Sequence, residues 1–344
     1  MSRDKLIIFG VVLLGFLGFL VYEQAKKDES IGQPVVATGA LPTLSAPEGI
    51  DKISITNGDK PEIVLELVSD NSASTDGGSA TKWVMTAPQK SDANQQAAKD
   101  LVSNLRDLKA DERINLVLDD ATRKDKLLDA QHAVHVVAWK DGEKKVDELF
   151  GKSGAAGQLV AVADKPNDVR AAKGYSSYLY TREPKDFRNK EIFHFDDASA
   201  WQVSITNTHG TFVLSKTGDK WTATHDKKPL EHFDPEKVKD LLRAYKGLNA
   251  EDFGDGKSLA ETGLDQPESQ ITISLTGDSK PSELRIGKVS VGTNHWAKRA
   301  DTDTIYQITA YAADWALQDA GKFETQSDGG APDAGARKTT TAKK

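Results

Sequence analysis

The residues of this chain that could do chemistry do not form a recognised catalytic motif. Gly151-Lys152-Ser153 resembles the end of a phosphate-binding loop, but that motif requires a glycine at position 146, where the chain has a valine. A second pair, Gly287-Lys288, lies in a matching context. We therefore interpret the glycine–lysine pair as part of a turn that occurs twice.

Two histidines have a spacing that occurs in metal sites. His132 and His135 are three residues apart, which suits a helix, whereas residues 133–139 have the pattern of a strand. We expect His135 to point outward from that strand. His225 and His232 are predicted to lie in a loop, without the second histidine and glutamate of a zinc-protease motif.

Carboxylate pairs are frequent because the chain has 52 acidic residues. Pairs such as Asp119-Asp120 and Asp196-Asp197 are expected by chance, and Asp301-Thr302-Asp303 lacks the glycine and the terminal glutamate of a calcium loop. We predict no catalytic residues, no cofactor and no metal site, and hence a protein that is not an enzyme. A carboxylate-based hydrolase stays open as a second alternative.

Tryptophans offer a different chemistry, because exposed indole rings can stack on sugar rings. The candidates are Trp201, Trp221, Trp296 and Trp315. Core placement is the usual position for most tryptophans, since each buries a large apolar area. A glycan- or peptidoglycan-binding module is therefore the first alternative, with Trp296 as its test residue.

The elements that must position these residues occur twice along the chain. Residues 53–57 (ISITN) return as 203–207 (VSITN), and 108–112 (LKADE) return as 248–252 (LNAED). Such self-similarity indicates two copies of one supersecondary unit. Each copy opens with a hairpin, and the first copy carries an insertion at residues 69–81 that we predict to be a surface loop.

An amphipathic helix follows each hairpin. We expect Asp92 to cap the first helix, and Asp234 to cap the second with Pro235 at its first position. Leu128-Asp129 then matches Leu264-Asp265, and Tyr178-Leu179-Tyr180 is matched with Thr304-Ile305-Tyr306 as the last strand. The pattern predicts an α+β fold, in which each copy is a mainly antiparallel sheet with one principal helix packed on it.

An unbroken apolar run at residues 6–22 precedes both copies. Its 17 residues would span roughly 25 Å as a helix, close to the thickness of a bilayer core. Arg3 and Lys5 precede the run, so the positive-inside bias predicts a single-pass bacterial inner-membrane protein with a cytoplasmic N-terminus and a periplasmic bulk. Cleavage of this segment as a signal peptide stays open.

The predicted organisation is a cytoplasmic stub and anchor (1–27), a linker (28–47), two repeat domains (48–195 and 196–324) and a disordered tail (325–344). The formal net charge of −7 argues against nucleic acid as a partner. Cysteine is absent, which excludes disulfides and thiol catalysis.

Several short motifs together resemble the family known as domain of unknown function 4340, seen in tandem. They are the segment from Trp83 to Pro88, the Leu-x-Ala-(Asp/Glu) helix end, Gly263 to Pro267, Leu284 to Lys288, and Asp186 to Lys190. The first copy departs from the pattern, since Leu128-Asp129 lacks the glycine and proline.

The resemblance implies similarity to the extracytoplasmic part of auxiliary proteins of gliding-motility-type ABC transporters, and it carries over no catalytic residue. We therefore expect a non-enzymatic, membrane-anchored periplasmic binding or scaffold protein, accessory to an ABC-type transporter or to envelope machinery. Its predicted partners are the inner membrane, through residues 6–22, and an envelope protein such as an ABC permease.

Overall fold

The computed structural model describes residues 34–35, 43–70, 80–154, 156–278 and 280–325. The chain divides into two compact units, Met1–Asn189 and Lys190–Lys344. Each unit contains one antiparallel sheet and a few helices, which confirms the predicted α+β class. The predicted domain boundary after residue 195 stays a prediction.

The sheet of the first unit has ten strands in the described residues. They are β1 (Pro34–Val35), β2 (Lys52–Asn57), β3 (Ile63–Asp70), β4 (Ala80–Ala87), β5 (Ser91–Asp92), β6 (Lys109–Ile114), β7 (Val134–Lys140), β8 (Glu143–Gly154), β9 (Gly157–Val162) and β10 (Lys165–Lys173). Their order across the sheet is β1-β6-β10-β9-β8-β7-β2-β3-β4-β5.

The principal helix of the first unit, α1 (Gln95–Arg106), covers one face of this sheet. Its apolar stripe of Ala98, Leu101 and Leu105 is fully buried, as the helical periodicity predicts. The short helices α2 (Asp120–Asp125) and α3 (Ser177–Tyr180) and a 3₁₀ turn at Pro184–Phe187 complete the unit.

The predicted start of α1 was wrong by two residues. Asn94, and not Asp92, is the N-cap, and its Oδ1 accepts hydrogen bonds from the amides of Gln96 and Ala97 at 3.1 Å each. Asp92 lies in β5 and pairs with Lys82 at 3.0 Å. Both residue types can cap a helix, so the sequence alone does not distinguish them.

The sheet of the second unit has nine strands in the described residues. They are β11 (Ala200–Asn207), β12 (Gly210–Thr217), β13 (Lys220–His225), β14 (Lys228–Pro229), β15 (Asp252–Phe253), β16 (Ser269–Leu275), β17 (Ser282–Val289), β18 (His295–Arg299) and β19 (Ile305–Ile308). Read from its β15 edge, the order is β15-β19-β18-β17-β16-β11-β12-β13-β14. This order repeats that of the first unit strand for strand, apart from β1.

The helices of the second unit are α4 (Glu236–Tyr245), α5 (Leu259–Thr262) and α6 (Ala310–Leu317), with 3₁₀ turns at Asp197–Ser199 and Ala320–Phe323. The α4 side chains Val238, Leu241 and Tyr245 are fully buried. Asp234 accepts a hydrogen bond from the Glu236 amide at 3.0 Å, but Pro235 is the N-cap of α4, so the helix starts one residue later than predicted.

Gly151 and Gly287 have the same structural role in the two units. A Cβ atom on Gly151 would collide with the Lys126 carbonyl, and one on Gly287 would collide with the Thr262 carbonyl. In each unit the strand passes directly over the end of the short helix, α2 or α5, and only glycine leaves room for this approach. The repetition of these glycines is confirmed, but their predicted placement in a turn was wrong: Gly151 lies within β8 and Gly287 within β17, each where the strand pairing shifts register.

The predicted match of the last strand was wrong. Residues 178–180 lie in helix α3, whereas Ile305–Ile308 forms β19. The strand at the position of β19 in the first unit is β10 (Lys165–Lys173). The shared Leu/Ile-Tyr pair, Leu179-Tyr180 and Ile305-Tyr306, made the two segments look alike.

Some predicted features lie wholly or partly outside the described residues. Ser69 and Asp70 pair with Thr81 and Ala80 and so extend the hairpin, while residues 71–79 lie outside. The predicted anchor at 6–22 and tail at 325–344 are also outside, except residue 325. Among the described helices, none combines the length and the apolar character needed to cross a membrane.

Candidate functional site

The first unit contains a charged pocket on the helix-covered face of its sheet. The cavity measures about 410 Å³. Strands β8, β9 and β10 form its floor, and Thr43 and Leu44 form part of its wall. Its charged lining residues are Lys144, Lys145, Asp147, Glu148, Asp164, Lys165, Asp168 and Arg170.

Strand alternation directs Glu148 to this face. Side chains two residues apart on a strand point the same way, and the neighbours of Glu148 on β8, Val146 and Phe150, belong to the first core. In the sheet register, Glu148 is paired with Val136 on one side and Val162 on the other. A carboxyl group therefore occupies a position that the pattern reserves for an apolar side chain.

Glu148 is 2% exposed, and its Oε2 has no hydrogen-bond partner among the described residues. Burial raises the pKa of Glu148 to about 8; the positive charge of Arg170 opposes the rise and Asp147 adds to it. At neutral pH the apo carboxyl is thus mostly protonated, because the ionised form is poorly solvated there.

Arg170 brings a guanidinium group to the same face. It is 1% exposed, its Nη2 lies 2.8 Å from Asp168 Oδ2, and its Nη1 donates to the Ala110 carbonyl at 3.4 Å. Arg113 also donates to Asp168, at 3.1 Å. The hydrogen bond from Arg170, reinforced by Arg113, holds the pKa of Asp168 below its usual range against the effect of burial.

Further charges surround the pocket. Asp147 accepts from Lys144 Nζ at 2.6 Å and lies 2.7 Å from His135 Nε2. Burial alone would raise the pKa of Asp147, but these two hydrogen bonds outweigh it, and the pKa is lowered. Lys145 pairs with Glu143 at 2.6 Å. Lys165 is exposed and forms no ion pair with the described residues.

The second unit has apolar or neutral side chains at the same positions. Phe150 and Ile286 precede the two equivalent glycines, so Glu148 corresponds to Leu284. Val160 pairs with Arg170, as Ala297 pairs with Tyr306. Leu284 is fully buried and Tyr306 is 6% exposed. By the same register, Thr304 corresponds to Asp168.

The histidines singled out in the sequence do not come together. His132 Nδ1 lies 2.8 Å from Asp129, and His135 lies on the face opposite Glu148, against Asp147. The His225 ring stacks on Phe212 with centroids 4.4 Å apart, and its Nε2 lies 2.7 Å from the His209 carbonyl oxygen. In the described part of the chain, no three potential metal ligands are grouped.

Two of the four candidate tryptophans are buried. Trp296 and Trp315 are only 7% and 5% exposed, so the use of Trp296 as an exposed sugar-stacking residue was wrong. It packs with Leu264 and Ile305 in a small cluster. Trp201 is 46% exposed, and Trp221 is partly buried against the second core.

Sequence reasoning missed the Glu148–Arg170 pocket for a definite reason. The signal was available at Glu148, since a charged residue interrupts the inward positions between Val146 and Phe150. Arg170 could not be placed, because its strand, β10, was not predicted. Chemically, the pocket offers a carboxyl with a raised pKa beside an Arg170–Asp168 pair. That combination can bind a charged ligand or transfer a proton.

One family model matches the chain, described as "Domain of unknown function (DUF4340)", over residues 83–267. The match covers more than half of the 344 residues. It begins at Trp83 in the first unit and ends at Pro267 in the second, so a single match spans parts of both. The tandem arrangement of two family domains stays a prediction. No curated protein and no solved structure matches the chain.

Proposed function

This chain belongs to the family Domain of unknown function (DUF4340), and we propose that it is a non-enzymatic binding and scaffold protein of the bacterial envelope. In this proposal the apolar run at residues 6–22 anchors it in the inner membrane, and both units act in the periplasm. The anchor raises their local concentration beside a membrane partner. That partner is an ABC-type transporter or another part of the envelope machinery.

The charged pocket is the observation that carries this proposal. The two units share a strand order apart from β1, but at two equivalent buried positions the first unit has Glu148 and Arg170 where the second has Leu284 and Tyr306. Since the second unit builds the same sheet with apolar side chains, the charges of the first unit serve something other than the fold. Recognition of a ligand or partner is the use that fits an open pocket of about 410 Å³.

Photo-crosslinking in cells tests the proposal. A photoreactive residue replacing Lys165, at the pocket, should capture a transporter or envelope component. The matched control replaces Lys220, an exposed lysine of the second unit. Equal capture of the same proteins from both positions, or none from Lys165, would contradict a binding role for the pocket.

A glycan-binding role is the second candidate, and one surface of the second unit favours it. Trp201 and Lys216 each lie one residue beyond the Gln202–Ser215 pair, and Lys216 is paired with Trp221. The row Trp201, Lys216, Trp221 therefore crosses three adjacent strands. Two strand spacings separate the backbone positions of Trp201 and Trp221 by about 10 Å, a span that suits contact with two sugars along a chain.

Retention on purified cell wall tests the glycan role. Trp201→Ala should abolish retention, while Tyr311→Ala, which removes an aromatic that is 57% exposed in α6, should leave it unchanged. Equal retention of both variants would exclude the Trp201 row as the contact. Screening the same wall polymers for cleavage would test the hydrolase alternative, in which Glu148 would be the proton donor.

A further inference from the structure

The carboxyl group of Glu148 is buried without a full set of hydrogen-bond partners among the described residues. Its Oε2 is buried and lacks a partner among the described residues. A buried polar group that lacks a hydrogen-bond partner destabilises the folded state. Leu284 shows that the same position in the second unit is filled without that cost.

The missing partner has a predictable character. Arg170 is directed to Asp168 and to the Ala110 carbonyl, and Lys144 and Lys145 are engaged by Asp147 and Glu143. Lys165, the remaining cation of the lining, is exposed to solvent and forms no ion pair with Glu148. An ionised Glu148 therefore calls for a hydrogen-bond donor that also carries positive charge. A primary ammonium group supplies both, with short charge-assisted hydrogen bonds.

We propose that the pocket binds a small molecule through its primary ammonium group, with the Glu148 carboxylate as the acceptor. This inference rests on the proposed binding function of the pocket and names the class of its ligand. Amino acids, peptide N-termini and amino sugars share this chemistry. The volume of about 410 Å³ accommodates any of them.

Binding of this kind releases a proton. The charges that act on Glu148 are Arg170 from β10 and Asp147 from its own strand. The charge of Glu148 acts in turn on Tyr180 of α3. The other charged groups of the pocket lining are Lys144, Lys145, Asp164, Lys165 and Asp168. Because the apo carboxyl has a pKa of about 8, only a minor fraction is ionised at pH 7. The apparent affinity should therefore rise about tenfold per pH unit below pH 8 and level off above it.

NMR of the full chain, labelled with ¹³C at the glutamate carboxyls, tests the proposal without knowledge of the natural ligand. Glu148→Gln identifies the signal of Glu148. In ethylammonium chloride at high concentration, the pKa of Glu148 should fall by at least about 0.5 relative to sodium chloride of equal ionic strength. Tetramethylammonium chloride, which has no N–H donor, should give the same pKa as sodium chloride.

An equal pKa of Glu148 in all three salts would overturn the ammonium proposal. A fall in tetramethylammonium as large as in ethylammonium would also overturn it, because charge alone would then be the cause. Further titrations with L-lysine, glycylglycine and glucosamine separate the amino-acid, peptide and amino-sugar sources. Crosslinking from Lys165 could succeed even if this experiment failed, so the two proposals fail separately.

Discussion

The two units of this molecule have the same strand order apart from β1, but they carry different side chains at two equivalent buried positions. In the first unit, Glu148 and Arg170 bring charge to the helix-covered face; in the second, Leu284 and Tyr306 fill it. The second unit therefore serves as an internal reference for what the fold requires. We therefore assign the buried charges of Glu148 and Arg170 to function, because burying a charge costs free energy.

Introducing the charge of the first unit into the second should have the largest effect. Leu284→Glu places a carboxyl among fully buried apolar side chains, and its cross-strand neighbour Arg299 is already engaged by Asp301 and by the Ile192 carbonyl. The substitution should therefore cost roughly 5 kcal/mol of unfolding free energy. Urea unfolding measures this. Glu283→Gln, next in sequence but on the opposite face, should cost less than about 1 kcal/mol. Comparable stability of both variants would show that the second unit tolerates charge.

The first unit should become less stable than its Glu148→Gln variant as the pH rises. The folded pKa of Glu148, about 8, lies above the reference value of 4.5, so the unfolded state loses its proton first. The resulting penalty should grow from about pH 5 to pH 8 and approach about 5 kcal/mol above that. Urea unfolding of both proteins across this range checks it, and a pH-independent difference between them would refute it.

Replacing the equivalent glycines, Gly151 and Gly287, should lower the stability of the two units by similar amounts. Gly151→Ala and Gly287→Ala each drive a Cβ into a backbone carbonyl, and each should cost about 1–3 kcal/mol. Gly247→Ala is the matched control, because a Cβ there meets nothing within 4 Å. Thermal unfolding provides the comparison. A cost in one unit only would weaken the equivalence between the two.

The smallest expected effect concerns the helix caps. Asn94→Ala in the first unit and Asp234→Ala in the second should each cost about 1 kcal/mol. Asp92→Ala, which removes only an exposed ion pair with Lys82, should change stability by less than about 0.5 kcal/mol. Chemical denaturation resolves the difference. A larger loss of stability in Asp92→Ala than in Asn94→Ala would instead support Asp92 as the N-cap, as the sequence predicts.

Much of the architecture could be predicted because it depends on the periodicity of residues that are close in the sequence. The alternation of Ile53 and Ile55, the stripe of Leu101 and Leu105, and the repeated glycines each depend on near neighbours in the chain. The hairpin of β9 and β10 was missed, since its charged and small residues give a weak strand pattern. The error then led to Tyr178–Tyr180 as the counterpart of β19.

The pocket could not be predicted from the sequence for a related reason. Glu148 and Arg170 belong to strands separated by β9, and the guanidinium is placed through the pairing of Arg170 with Val160. Only the sheet register shows that both side chains point to one face. The exposure of the tryptophans depends likewise on packing: Trp201 and Trp296 look alike in sequence but lie on the surface and in the interior, respectively.

The central claim is that the charges at the first-unit position are dispensable for the fold and needed for binding. Exchanging them for the residues of the second unit tests this most directly, in the triple variant Glu148→Leu, Asp168→Thr, Arg170→Tyr. Thermal unfolding should show a melting temperature at least equal to that of the unaltered chain, together with loss of crosslinking from position 165. A variant that fails to fold, or that melts well below the unaltered chain, would show that the charges are structural and would contradict the account.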